Sequence, residues 1–84
     1  MSETTSYEEE VPREEAADLL QALAREVRGD SGDIAEVQVG NKTLTLRPGA
    51  TVEYGIEIEE RSPMLGGDRE EITVTLGWEA SEGE

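Results

Sequence analysis

The sequence predicts an α+β fold of two layers, with one helix packed on one face of a mostly antiparallel sheet of about five strands in the order β-α-β-β-β-β. Three observations carry that expectation. One segment repeats its apolar residues at the three-to-four spacing of a helix. The segments around it alternate apolar and polar residues, which is the period of a strand with one dry face and one wet one. Two pairs of the alternating segments can be laid antiparallel with their apolar residues on one face, and a slip of one residue destroys either agreement.

Taken in order, residues 1–5 read as a disordered tail, residues 6–79 as a single domain and residues 80–84 as a frayed acidic tail. Residues 6–11 can form a strand with Tyr7 and Val11 on one face. Glu9 shares that face, and an inward charge is a device of edge strands, so the strand is expected at an edge. A catalytic Glu9 is the competing reading, and the edge strand accounts for the residue without it.

Residues 12–28 read as the helix. Pro12 suits the first helical position, where the missing N–H needs no partner. Glu14 and Glu15 near the start and Arg25 and Arg28 near the end complement the helix dipole, and Gly29 is the stop. Ala16, Leu19, Leu20, Leu23, Ala24 and Val27 make one apolar stripe, expected to pack on the sheet. Its other use would be a membrane surface, but the polar face is acidic and anionic lipids attract basic residues.

Residues 30–33, Asp-Ser-Gly-Asp, read as a turn. The two aspartates lack the further ligands of a calcium loop. Residues 35–46 read as a hairpin closed by Gly40-Asn41 in a primed turn, with Val39 opposite Lys42, Val37 opposite Leu44 and Ala35 opposite Leu46. Residues 51–60 form a long strand with Val52, Tyr54, Ile56 and Ile58 inward, and Gly55 within it suggests a bulge or bend. The stretch 61–69 is a loop whose apolar Met64-Leu65 either tucks under the sheet or marks a contact. The last strand, residues 70–79, brings Ile72, Val74, Leu76 and Trp78 to one face. Pairing Ile58 with Ile72 sets Ile56 against Val74, Tyr54 against Leu76 and Val52 against Trp78.

Composition narrows the function. The 84 residues hold 21 acidic and 7 basic side chains, a net charge of −14, with the acids spread along the chain. Such an excess repels itself at low ionic strength. In about 1 M salt the screening length falls to about 3 Å and most of that cost disappears, which predicts a high-salt cytoplasm. The chain contains no cysteine and no histidine, so disulfides, thiol catalysis and imidazole chemistry are excluded. Neither a signal peptide nor a membrane-spanning run is apparent, and a cytoplasmic location is expected. The adjacent carboxylates Glu14-Glu15, Glu59-Glu60 and Glu70-Glu71 are read as parts of a solvated acidic face, and on the strands neighbours face opposite ways, so adjacency does not make a dyad. No Gly-rich phosphate loop is present. Nucleic acid is disfavoured because its phosphates need clustered basic residues, and here they are scattered among acids.

The pattern resembles the amphi-Trp domain family of haloarchaea. The likeness rests on a short strand leading into Arg13-Glu14-Glu15, the Ala16-Ala17-Asp18-Leu19-Leu20 to Leu23-Ala24 helix, a hairpin, and two long amphipathic strands finishing in Trp78-Glu79. Pro12 departs from the hydroxyl cap expected there. The resemblance covers about residues 6–79 and implies a halophilic archaeal source, but neither an activity nor functional residues.

The functional expectation is a non-catalytic protein-interaction or self-associating module, working as a homodimer or with an unidentified protein. No enzyme activity, cofactor, metal, small-molecule substrate, membrane or nucleic acid is expected. A five-stranded sheet is about 24 Å across at roughly 4.8 Å per strand, and a helix is about 10 Å wide. Either the sheet coils tightly around the helix or another chain covers part of the apolar face, and the candidate contact residues are Trp78, Val52, Val39, Met64 and Leu65. The alternative is that the acidic face binds a basic partner, as a nucleic-acid mimic or regulatory subunit.

Overall fold

The computed structural model describes residues 3–29, 32–62 and 67–79. Its elements are one helix, α1 (Arg13–Arg28), and four strands, β1 (Ala35–Val39), β2 (Lys42–Leu46), β3 (Glu53–Arg61) and β4 (Arg69–Gly77). The fold is α+β with two antiparallel sheets of two strands each, β1-β2 and β3-β4. By their contacts the elements fall into two units. One comprises α1 with β1 and β2, and the other is the β3-β4 ribbon.

The first unit begins with a correction. Residues 6–11 form no strand. Three consecutive glutamates, Glu8 to Glu10, occupy this short segment, and its one recorded side-chain hydrogen bond is local: the Tyr7 hydroxyl donates to the Glu9 carboxylate two residues away. The start of the helix also differs slightly. Pro12 is the residue before the first turn and not its first member. Its φ of −59° and ψ of 153° are extended, and its carbonyl accepts from the Ala16 N–H at 3.0 Å. No side chain caps that end. The dipole is still matched, by Glu14 and Glu15 in the first turn and Arg25 and Arg28 in the last.

Gly29 ends α1 as its sequence suggests. It sits in the left-handed region at φ 103°, and its N–H is shared between the carbonyls of Arg25 and Glu26, 3.2 Å from each. The chain then returns along the helix. The Glu26 carboxylate accepts the backbone N–H of Glu36 at 2.9 Å and ties the last turns of α1 to β1. Leu23 and Val27 on that part of the stripe are half-buried, whereas Leu19 and Leu20 nearer the start are exposed. Ala35, at the start of β1, is the one fully buried side chain among the described residues.

The β1-β2 hairpin has the expected register, Ala35 with Leu46, Val37 with Leu44 and Val39 with Lys42. Gly40 has φ +66° while Asn41 is not in the positive-φ region. That sign pattern is the type II′ turn, which puts glycine at the first of its two central positions.

The second unit is a nine-residue pair of strands. Its register matches the parity argument at every rung tested, Tyr54 with Leu76, Ile56 with Val74 and Ile58 with Ile72. Gly55 makes no bulge. It pairs with Thr75 in unbroken register, and a β-carbon there would meet Thr75 at an ordinary 3.9 Å. The strands run from Glu53 and to Gly77, so Val52 and Trp78 stand just outside the ladder. The turn expected at residues 30–33 lies partly, and Met64, Leu65 and the tail 80–84 wholly, outside the described residues.

Candidate interaction surface

Alternation gives the β3-β4 ribbon two unlike faces. Tyr54, Ile56, Ile58, Ile72, Val74 and Leu76 lie on one; Glu53, Glu57, Glu59, Arg61, Glu71 and the threonines lie on the other. On a protein with one covered sheet face the apolar set would be buried. Here Tyr54 is 65% exposed, Ile72 67% and Val74 47%, with Ile56 and Ile58 between. Leu76, Val52 and Trp78 are half-buried at one end of the ribbon. The register ends on Glu53 with Gly77, so Val52 and Trp78 each adjoin its last rung.

Two of the sequence-chosen contact residues, Val52 and Trp78, each adjoin the last rung of the ladder and are half-buried, not exposed. Val39 is half-buried at the turn end of β1, in the other unit. Residues that matter more were assigned to the core by sequence reasoning. Tyr54, Ile56, Ile58, Ile72 and Val74 alternate as core residues do, and alternation says which way a side chain points but not what covers it.

The far end of the same face carries charge. Glu60 pairs with Glu70 directly across the ribbon, one rung beyond Ile58 and Ile72. Like charges opposite each other oppose pairing. On the polar face the neighbouring pair, Glu59 with Glu71, is relieved by Arg61, whose guanidinium lies 3.3 Å from Glu59 and 3.8 Å from Glu71. These groups are about half exposed, and such surface pairs contribute about 0–1 kcal/mol. Among the described residues no cation lies within ion-pair distance of Glu60 or Glu70.

In the first unit the Tyr7 ring lies against Gly40; a β-carbon there would be 2.8 Å from Tyr7 Cδ1. The hydrogen bond to Glu9 holds the Tyr7 phenol above its usual pKa, with desolvation and the Glu9 and Glu15 charges adding to it. Glu9 thus has a structural partner. Among the described residues no group of three or more carboxylates is gathered in a way that could hold a metal, and no helix is long and apolar enough to cross a membrane. Comparison with protein-family models, curated proteins and solved structures returns no match.

Proposed function

We propose that the chain is a non-catalytic protein-interaction module, adapted to a high-salt cytoplasm, whose docking surface is the apolar face of β3-β4. The observation that carries this is the exposure of Tyr54, Ile56, Ile58, Ile72 and Val74 on one continuous face. At roughly 100 Å² per large side chain, these five expose about 500 Å². A contiguous apolar patch of a few hundred Å² marks an interaction surface more often than a bare exterior.

The Glu26–Glu36 hydrogen bond ties α1 to β1 within the first unit, and the apolar face of β3-β4 stays exposed. The charge of −14 supports the salt requirement, since screening lowers the self-repulsion that opposes both folding and docking. The resemblance to amphi-Trp domains rests on the sequence pattern and is consistent with that solvent.

The test is a photo-crosslinking residue placed at Ile58 and irradiated in a concentrated extract in about 2 M KCl. Transfer to a polypeptide, this chain included, supports the reading. Irradiation that leaves every chain uncoupled overturns it. The salt part is checked by thermal unfolding, with a midpoint expected to rise between 0.1 and 2 M KCl; equal midpoints contradict it.

A further inference from the structure

We propose that the occupant of the β3-β4 face is a second copy of this chain, packed ribbon against ribbon with the two ribbon axes opposed, so that the Glu60/Glu70 end of each copy lies over the Trp78 end of the other. This rests on the interaction reading above and adds to it the identity and orientation of the partner.

The area is sufficient. Two such faces bury about 1,000 Å², and the Val52 and Trp78 rims raise this to about 1,200 Å², where specific interfaces begin. The face is also self-complementary in chemistry. Between Tyr54 and Ile58 on one strand and between Ile72 and Leu76 on the other, its inward residues are apolar except for one phenol hydroxyl. Nothing on it requires a partner of different composition, and an isologous contact uses the same patch twice.

Orientation follows from the charges. The centre of the apolar rungs is Ile56 with Val74, and the Glu60/Glu70 rung lies four residues beyond it. At about 3.4 Å per residue that is about 14 Å from a twofold axis through the centre. Opposed ribbons hold the two carboxylate pairs about 27 Å apart, several screening lengths even at 0.15 M salt. Aligned ribbons would stack four carboxylates at one end, with no cation in ion-pair reach of them among the described residues. Opposed ribbons also bring Glu60 and Glu70 over the Val52–Trp78 end, where the indole N–H is a donor that a carboxylate can accept from. Each copy carries −14, so association needs screening and strengthens with salt.

The chain has a single tryptophan and no cysteine, which makes the test direct. In 2 M KCl the purified protein is expected to show a monomer–dimer equilibrium by sedimentation. Trp78 emission should shift to the blue over the same concentration range, and the dissociation constant should be at least tenfold weaker in 0.5 M KCl. Ile72→Thr, which keeps a β-branched residue on the strand, should weaken dimerisation at least tenfold. A short bis-maleimide should join two copies of Ile56→Cys, near the twofold axis, and leave Glu60→Cys uncoupled. Coupling of Glu60→Cys, with or without Ile56→Cys, overturns the opposed orientation. A purified chain that stays monomeric at millimolar concentration in 2 M KCl overturns the second copy. If the Ile58 crosslink then joins a different polypeptide, the interaction reading stands without this inference; if it joins none, both fall.

Discussion

The two ribbons differ less in sequence than in what lies on them. Ala35, Val37 and Val39 alternate in β1 as Tyr54, Ile56 and Ile58 do in β3, and both hairpins pair in the register that keeps apolar residues on one face. In the first unit that face reaches a helix: α1 is tied to β1 through Glu26, Val37 and Val39 are half-buried, and Ala35 is fully buried. In the second unit the residues are larger and more numerous, yet Tyr54, Ile56, Ile58, Ile72 and Val74 are exposed. Alternation sets up a dry face, and only a covering element makes it dry. The hydrophobic gain therefore belongs to the contact and not to the strand.

The largest expected effect breaks the covered side of that comparison. Ala35 has no exposed surface, and leucine there adds three carbons where none fit. Overpacking costs about 1–3 kcal/mol, and in a domain of this size that lowers the melting midpoint by roughly 5–15 °C. The matching change in the second unit is Ile56→Ala, made at a protein concentration low enough to keep the chain monomeric. Ile56 is 56% exposed, so its truncation should move the midpoint by less than half as much. Equal shifts would mean that the two faces are equally covered.

Next is the turn that closes the first hairpin. Gly40 has φ +66°, where an L side chain costs about 1–2 kcal/mol, and a β-carbon would also press on Tyr7 Cδ1 at 2.8 Å. Gly40→Ala should therefore destabilise the chain, and Tyr7→Ala in the same protein should recover part of the loss. Urea denaturation of the two single variants and the double variant checks this. Additive effects would show that the ring and the turn do not meet.

Glu26 tests the tie itself. Its carboxylate accepts the Glu36 N–H at 2.9 Å, and loss of such a bond costs about 0.5–1.5 kcal/mol. Glu26→Ala should speed amide hydrogen exchange at Glu36, while exchange along β3 and β4 stays as it was. Faster exchange in both ribbons would join the two units into one cooperative block.

Much of this architecture is legible in the residues. The helix stop at Gly29, both hairpin registers and the face assignment of each strand residue depend on local rules: a glycine free to adopt positive φ, a period of two, and a turn with glycine first. What local rules do not reach is what a strand residue pairs with beyond its neighbour. Residues 6–11 alternate passably but carry Glu8, Glu9 and Glu10, and no pairing partner compensates them. Gly55 reads as a bulge only if its neighbours need one, and an unbroken partner strand removes the need. The exposed face is the clearest case. Ile58 and Ile72 look like core in sequence because their pattern records a covered face without naming its cover. Val52 and Trp78, which the pattern sets at the end of the strand pair, adjoin its last rung, Glu53 with Gly77.

The smallest expected effect concerns Tyr7, which has no counterpart in the ribbon. Its hydroxyl donates to the Glu9 carboxylate, which favours the neutral phenol and raises its pKa above the usual value of about 10. A raised folded-state pKa fixes the sign. The small stabilisation from this bond is fully present below the unfolded-state value and is lost as pH climbs through the folded one. A spectrophotometric titration in a Tyr54→Phe background, where Tyr7 is the only phenol, should give a midpoint above 10 that falls when Glu9 is replaced by alanine. If the Tyr7 midpoint does not move when Glu9 is replaced, the cause is the overall charge of −14, and the local bond that ties residues 7 and 9 carries no part of it.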